Sequence, residues 1–81
     1  MNVYCYITFP TTYFALRAES LLKQSGMDFK MVPVPRSISS SCGIALRCPC
    51  ADRSRAERLL KENRVEIQGS YEIAEKEFTL P

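Results

Sequence analysis

The chain predicts an α+β fold, a ferredoxin-like two-layer sandwich of order β-α-β-β-α-β: a four-stranded antiparallel sheet with two helices on one face. Three observations lead there. Four runs alternate with the period of a strand, two repeat with the period of a helix, and the punctuation between them is Pro, Gly, Asp and Asn. Two β-α-β halves, each with a right-handed crossover, put both helices on the same side of one sheet.

In residues 2–9, Val3, Cys5, Ile7 and Phe9 share one face, and Asn2, Tyr4, Tyr6 and Thr8 the other. Pro10-Thr11-Thr12 ends this strand and offers a hydroxyl N-cap. Over residues 13–24, Phe14, Ala15, Ala18, Leu21 and Leu22 form an apolar stripe, while Arg17, Glu19, Lys23 and Gln24 take the wet side. Gly26 is the left-handed stop. Asp28 to Val34 reads as a second strand, pushed to a sheet edge by Pro33 and Pro35. Residues 35–43 form a loop, and Ile44, Leu46 and Cys48 alternate in a third strand closed by Cys48-Pro49-Cys50. Asp52 is expected to cap a second helix over 53–62, with Ala56, Leu59 and Leu60 inward and Asn63 at its exit. Val65, Ile67, Gly69, Tyr71 and Ile73 then alternate strictly with polar residues in a fourth strand. The expected organisation is one domain over residues 1–73 and a short charged tail over 74–81.

Composition narrows the function. Eighty-one residues leave no room for a deep catalytic cavity, and a net charge of +2 does not call for a polyanion. The chain has no His, which removes Ser-His and Cys-His nucleophile pairs, His-ligated metals and the usual general base near neutral pH. Cysteine is left as the plausible nucleophile. The start Met1-Asn2-Val3-Tyr4 lacks a basic leader, and Pro10 and Arg17 interrupt any apolar run. The expectation is a cytoplasmic protein with reduced thiols, bound to neither membrane nor nucleic acid and needing no cofactor or metal.

The four cysteines are Cys5, Cys42, Cys48 and Cys50. Cys5, on the apolar face of the first strand, reads as core. Cys42 stands in Ser39-Ser40-Ser41-Cys42-Gly43. Hydroxyls and loop N–H groups there could hydrogen-bond a thiolate, Gly43 would let a partner approach the sulfur, and Arg36 could add positive charge. An incidental Cys in a Ser-rich hairpin is the bland alternative. Cys48 and Cys50, two apart around Pro49, admit three readings: small packed residues, a metal pair, or resolving thiols for a reversible disulfide. Zinc prefers a wider spacing and a second ligand pair, which weighs against metal. The Arg-rich helix (Arg53, Arg55, Arg58, Lys61, Arg64) with Tyr4 and Tyr6 raises RNA binding, but the aromatic RNA-binding signature is absent and Glu57, Glu62, Glu66 and Glu72 dilute the charge. With helices on one side, Tyr4, Tyr6 and Thr8 are expected to lie on an open sheet face, a candidate surface for a homodimer or a docking contact. A non-catalytic binding or regulatory module acting through that face is the alternative function.

Several strings together carry a resemblance. They are Phe9-Pro10-Thr11-Thr12, Ala15-Leu16-Arg17-Ala18-Glu19, Leu21-Leu22-Lys23 with Gly26, Pro33-Val34-Pro35-Arg36, Ser39-Ser40-Ser41-Cys42-Gly43, Ala45-Leu46-Arg47, and Gly69 with Tyr71-Glu72-Ile73. Over about residues 1–73 the chain resembles a small bacterial domain family described as selenium/sulfur carrier-like, formerly a domain of unknown function. The resemblance implies that Cys42 bears the chalcogen, as a persulfide or selenosulfide passed between a cysteine desulfurase-like donor and an acceptor protein. That makes it a carrier rather than an enzyme. The Cys-Pro-x-Pro motif of the best-known bacterial sulfur carriers is absent, and Cys5, Cys48 and Cys50 have no place in the matching strings.

Overall fold

In a computed structural model that describes residues 2–38 and 42–75, the chain forms β1 (Asn2–Thr8), α1 (Thr12–Gln24), β2 (Lys30–Pro33), β3 (Ile44–Pro49), a 3-10 turn (Cys50–Asp52), α2 (Arg53–Glu62) and β4 (Gly69–Glu75). The strands make one antiparallel sheet of order β2-β3-β1-β4. This is the expected β-α-β-β-α-β ferredoxin-like arrangement.

Local signals account for the helices. Thr11 takes an extended conformation and its hydroxyl accepts from the Phe14 N–H at 3.4 Å, as an N-cap does. At the other end, Gly26 has φ +70, Met27 N–H donates to Leu22 O, and Gly26 N–H donates to Lys23 O. This paired closure satisfies carbonyls that the helix leaves open. The exit of α2 is built the same way, with Val65 N–H on Leu60 O and Arg64 N–H on Lys61 O. There the left-handed residue is Arg64, at φ 59, directly after Asn63.

The main core lies between sheet and helices. It holds Cys5, Ile7, Phe9, Leu46 and Cys48 from the β1 and β3 segments, Ala15, Ala18 and Leu22 from α1, Ala56 and Leu60 from α2, and Val65. Full burial of each large aliphatic or aromatic side chain contributes about 1.5–3 kcal/mol. Phe14, Leu21, Phe29, Met31 and Leu59 pack at its margin.

Three expectations are corrected. Asp52 does not cap α2: its backbone is helical, within the 3-10 turn that runs straight into the helix, and its side chain makes no capping bond. The fourth strand starts at Gly69, not Val65, and its alternation changes face. Val65 and Ile67 precede the strand and pack on the main core, whereas Tyr71 and Ile73 pair with Tyr6 and Tyr4 on the opposite face. Toward the helices β4 presents Ser70 and Glu72. The Ser70 hydroxyl donates to Glu57 Oε2 at 2.8 Å, and Arg53 reaches both Glu57 (3.0 Å) and Glu72 (3.8 Å). The outer edge of the helical layer is therefore polar where a strictly alternating strand would have made it apolar.

The third correction concerns the sheet face expected to be open. Ile38, from the β2–β3 loop, packs there with Tyr6 and Ala45, and Tyr4, Val32, Val34 and Ile73 surround them. Tyr6 retains 5% of its surface and Ile38 7%. Thr8 is wholly buried, its hydroxyl donating to Gly69 O at 3.3 Å. Tyr6 is thus not available for stacking, and Arg47 lies over the Tyr4 ring at 4.6 Å. The loop supplies a second, smaller core on the side away from the helices.

Two outcomes are expected. Ile38→Ala should lower stability by about 2 kcal/mol in urea unfolding, whereas Leu16→Ala, at a position 55% exposed, should change it by less than about 0.5 kcal/mol. Equal effects would mean that Ile38 is not a core residue. Burial alone would raise the Glu57 carboxyl, but the Ser70 hydroxyl and the Arg53 guanidinium outweigh it and hold the group below its ordinary value. A depressed carboxylate stabilises the fold above its unfolded value and loses that contribution as pH falls through the folded one. Glu57→Gln should therefore flatten the acid limb of the stability profile, and an unchanged limb would contradict the assignment.

Candidate functional site

The β2–β3 loop is tied at its neck. Val34 N–H donates to Gly43 O at 3.1 Å, just beyond the last β2–β3 pair, Pro33 with Ile44. A turn follows, with Ile38 N–H on Pro35 O at 2.9 Å, and Ile38 anchors the loop in the outer core. Arg36 and Ser37 are exposed on this turn. Ser39, Ser40 and Ser41 lie outside the described residues.

Cys42 leaves the loop on the chain's way into β3. It is half-buried, borders the main core, and its thiol donates to Ile44 O at 3.2 Å. That contact holds the sulfur close to the sheet while it carries its proton. Gly43 follows at φ +75, and a Cβ there would meet no atom within 4 Å. The glycine is required by its left-handed backbone rather than by crowding. The β1–β3 ladder ends at Thr8 with Ala45. Cys42 therefore sits at the end of the sheet where β1 hands over to the first turn of α1.

The other three cysteines converge at the opposite end. Cys5 on β1 is the direct cross-strand partner of Cys48 on β3. Cys50, in the 3-10 turn, packs against the core cluster that holds both of them. Cys5 and Cys48 are buried, Cys50 is half-buried, and none of the four cysteines is in a disulfide. Burial, then the neighbouring Cys5, Asp52 and Glu57, push the Cys48 thiol up to about 11 against the pull of Arg53. Cys50 is likewise pushed up, first by burial and then by the neighbouring Cys5 and Glu72. Both are thus kept protonated near neutral pH. No group of three or more His, Cys, Asp or Glu among the described residues is arranged to hold a metal ion.

β3 keeps the two ends apart. At about 3.3 Å per residue, the run from Cys42 to Cys48 spans roughly 15–20 Å, whereas a disulfide needs Cα atoms within about 7 Å. Cys48 and Cys50, the candidate resolving thiols, are therefore not brought to Cys42. Sequence reading treated Cys5 as core alone and missed its place beside them. The signal was available: in this strand order β1 and β3 are antiparallel neighbours, and Cys5 and Cys48 both fall on the helix-facing side.

No helix among the described residues is long and apolar enough to cross a membrane. A cleft of about 590 Å³ opens between Phe14, Val65 and Ile67 and the charged side chains of Glu57, Lys61, Arg64 and Glu66. It is shallow, and Cys42 does not line it.

A two-layer α+β sandwich with a half-buried cysteine where the β2–β3 loop enters β3 defines a small thiol-bearing domain. More particularly, the chain belongs to the family described as "Putative Se/S carrier protein-like", whose pattern it matches over residues 4–72. No curated protein and no solved structure matches it.

Alkylation should separate the cysteines. With a small haloacetamide at neutral pH, Cys42 should be modified at least about tenfold faster than Cys48, because the thiolate is the reacting form and burial disfavours it at Cys48. Equal rates by peptide mapping would contradict the placement of the two sulfurs.

Proposed function

We propose that the protein carries sulfur or selenium on Cys42, accepting it from a cysteine desulfurase-like protein and delivering it to an acceptor protein. Membership of the carrier family supports the class of function. One observation carries the assignment to Cys42: it is the only cysteine at its end of β3, half-buried beside an exposed glycine. The other three sit at the far end, with Cys48 and Cys50 held protonated by burial.

The chemistry is an exchange without net oxidation. The Cys42 thiolate attacks the outer sulfur of the donor's persulfide. A new S–S bond forms at Cys42, the donor's S–S bond breaks, and the donor cysteine leaves as thiolate. Delivery is the same step with the roles changed: an acceptor thiolate attacks the outer atom and Cys42 leaves. With selenium the transferred atom differs and the bond count does not. The reaction needs an approachable sulfur and room for a partner, and the exposed Gly43 suits both.

Separation along β3 matters for the cargo. A persulfide within reach of a second thiol is attacked at its inner sulfur, giving a disulfide and free hydrogen sulfide. Cys42 acts without a resolving thiol in its own chain, so the loaded atom waits for an external acceptor.

The test is loading by a cysteine desulfurase with cysteine, followed by intact mass measurement. The wild type should gain the mass of one sulfur atom, removable by a reductant, and Cys42→Ser should gain none. An adduct of undiminished yield in Cys42→Ser would overturn the assignment.

A further inference from the structure

The exchange at Cys42 makes no use of the apolar surface on α1 or of the cleft beside it. We infer, resting on the carrier reading, that this surface docks the protein that exchanges the chalcogen with Cys42. The docked segment is one that presents an apolar side chain flanked by Asp or Glu. Tyr13 and Leu16 stand 60% and 55% exposed on α1, the most exposed large apolar side chains among the described residues. The Tyr13 ring meets Phe14 edge to face, with centroids 5.2 Å apart, and Phe14 lines the cleft with Val65 and Ile67. The two features therefore form one patch. A cleft of about 590 Å³ has room for a large side chain.

The charges of the patch select the partner. Glu57 is already held by Arg53 at 3.0 Å and by the Ser70 hydroxyl at 2.8 Å. The other charged residues of the cleft, Lys61, Arg64 and Glu66, are all exposed. Arg17, beside Leu16, donates to the neutral Asn63 O at 3.3 Å and keeps its charge. Three cations thus face one carboxylate, a rim that attracts acidic groups around an apolar anchor. The patch also lies at the Cys42 end of the sheet. Gln68 N–H donates to Thr8 O at 2.7 Å, and Thr8 pairs with Ala45. The approach to β4 and the entry of β3 are therefore two strand spacings apart, about 10 Å. Cys42 borders the main core, which is the helix side. A standard interface covers about 800 Å² per partner, roughly 30 Å across, so one partner spans the patch and the sulfur together.

The experiment follows loading of the full chain by a cysteine desulfurase with cysteine, at rising desulfurase concentration. In Lys61→Glu/Arg64→Glu the concentration for half-maximal loading should rise at least about fivefold while the rate at saturation holds. Leu16→Asp, at an exposed position, should act in the same direction. Lys30→Glu makes the same kind of charge change on β2, the opposite edge strand, and should load as the wild type does. A second measurement is independent of the carrier reading. Anilinonaphthalene sulfonate, an aromatic probe with one anionic group, should shift the amide resonances of Phe14 and Ile67, and the double charge reversal should weaken its binding. Unchanged half-maximal concentrations in both patch variants, an equal loss in Lys30→Glu, or a probe that leaves Phe14 and Ile67 unmoved would each overturn the proposal. A wild type that never loads on Cys42 removes the carrier reading and the partner with it; a wild type that loads no better than the patch variants removes the docking surface alone.

Discussion

The antiparallel pairing of β1 with β3 is the constraint on which the rest depends. Its register sets Cys5 against Cys48 at one end and Thr8 against Ala45 at the other. The first pairing gathers three thiols under the helices. The second brings the entry of β3, with Cys42 and Gly43 just before it, to the end of the sheet where α1 begins. Since successive side chains on a strand alternate faces, a slip of one residue would turn Cys48 out of the core and Arg47 into it. The burial of Leu46 and Cys48 on one face and of Ala45 on the other makes that slip costly.

Both faces of the sheet are closed by material from this chain, in different ways. The helices supply Ala15, Ala18, Leu22, Ala56 and Leu60 to one side, and a single loop residue, Ile38, supplies the other. The loop that carries Cys42 is therefore anchored twice, by Ile38 in the outer core and by Val34 on Gly43 at its neck. The sulfur itself borders the main core and bonds to Ile44 O. A cysteine at the end of a loop tethered in this way is positioned by a rigid scaffold.

Much of the fold was legible in the sequence because periodicity and punctuation agreed. Thr11, Gly26, Pro33 and the apolar stripe of α1 do in the structure what their chemistry implies. The errors share a cause: each needed a tertiary fact. The strict alternation from Val65 to Ile73 gives no sign of the change of face between Ile67 and Tyr71, which follows from where β4 joins β1. Ile38 is one apolar residue in a polar loop, with no period to mark it as core. Asp52 looked like a cap because its side chain suits one, but a 3-10 turn fills the place where extended backbone was expected. Of the candidate site, Cys42 and Gly43 stand out as a motif and through the family resemblance, as candidates only. The Cys5, Cys48 and Cys50 cluster was not, because residues far apart in sequence meet only through strand register.

The central claim is that one sulfur at one end of β3 holds the cargo apart from the other three. Following the position of a loaded chalcogen in the wild-type chain tests this most directly, by peptide mapping at successive times after the donor is removed. The account predicts that the extra atom stays on Cys42 until an acceptor thiol is added, with no hydrogen sulfide released beforehand. Its appearance on Cys48 or Cys50, or its loss as hydrogen sulfide with a disulfide formed at Cys42, would contradict the account.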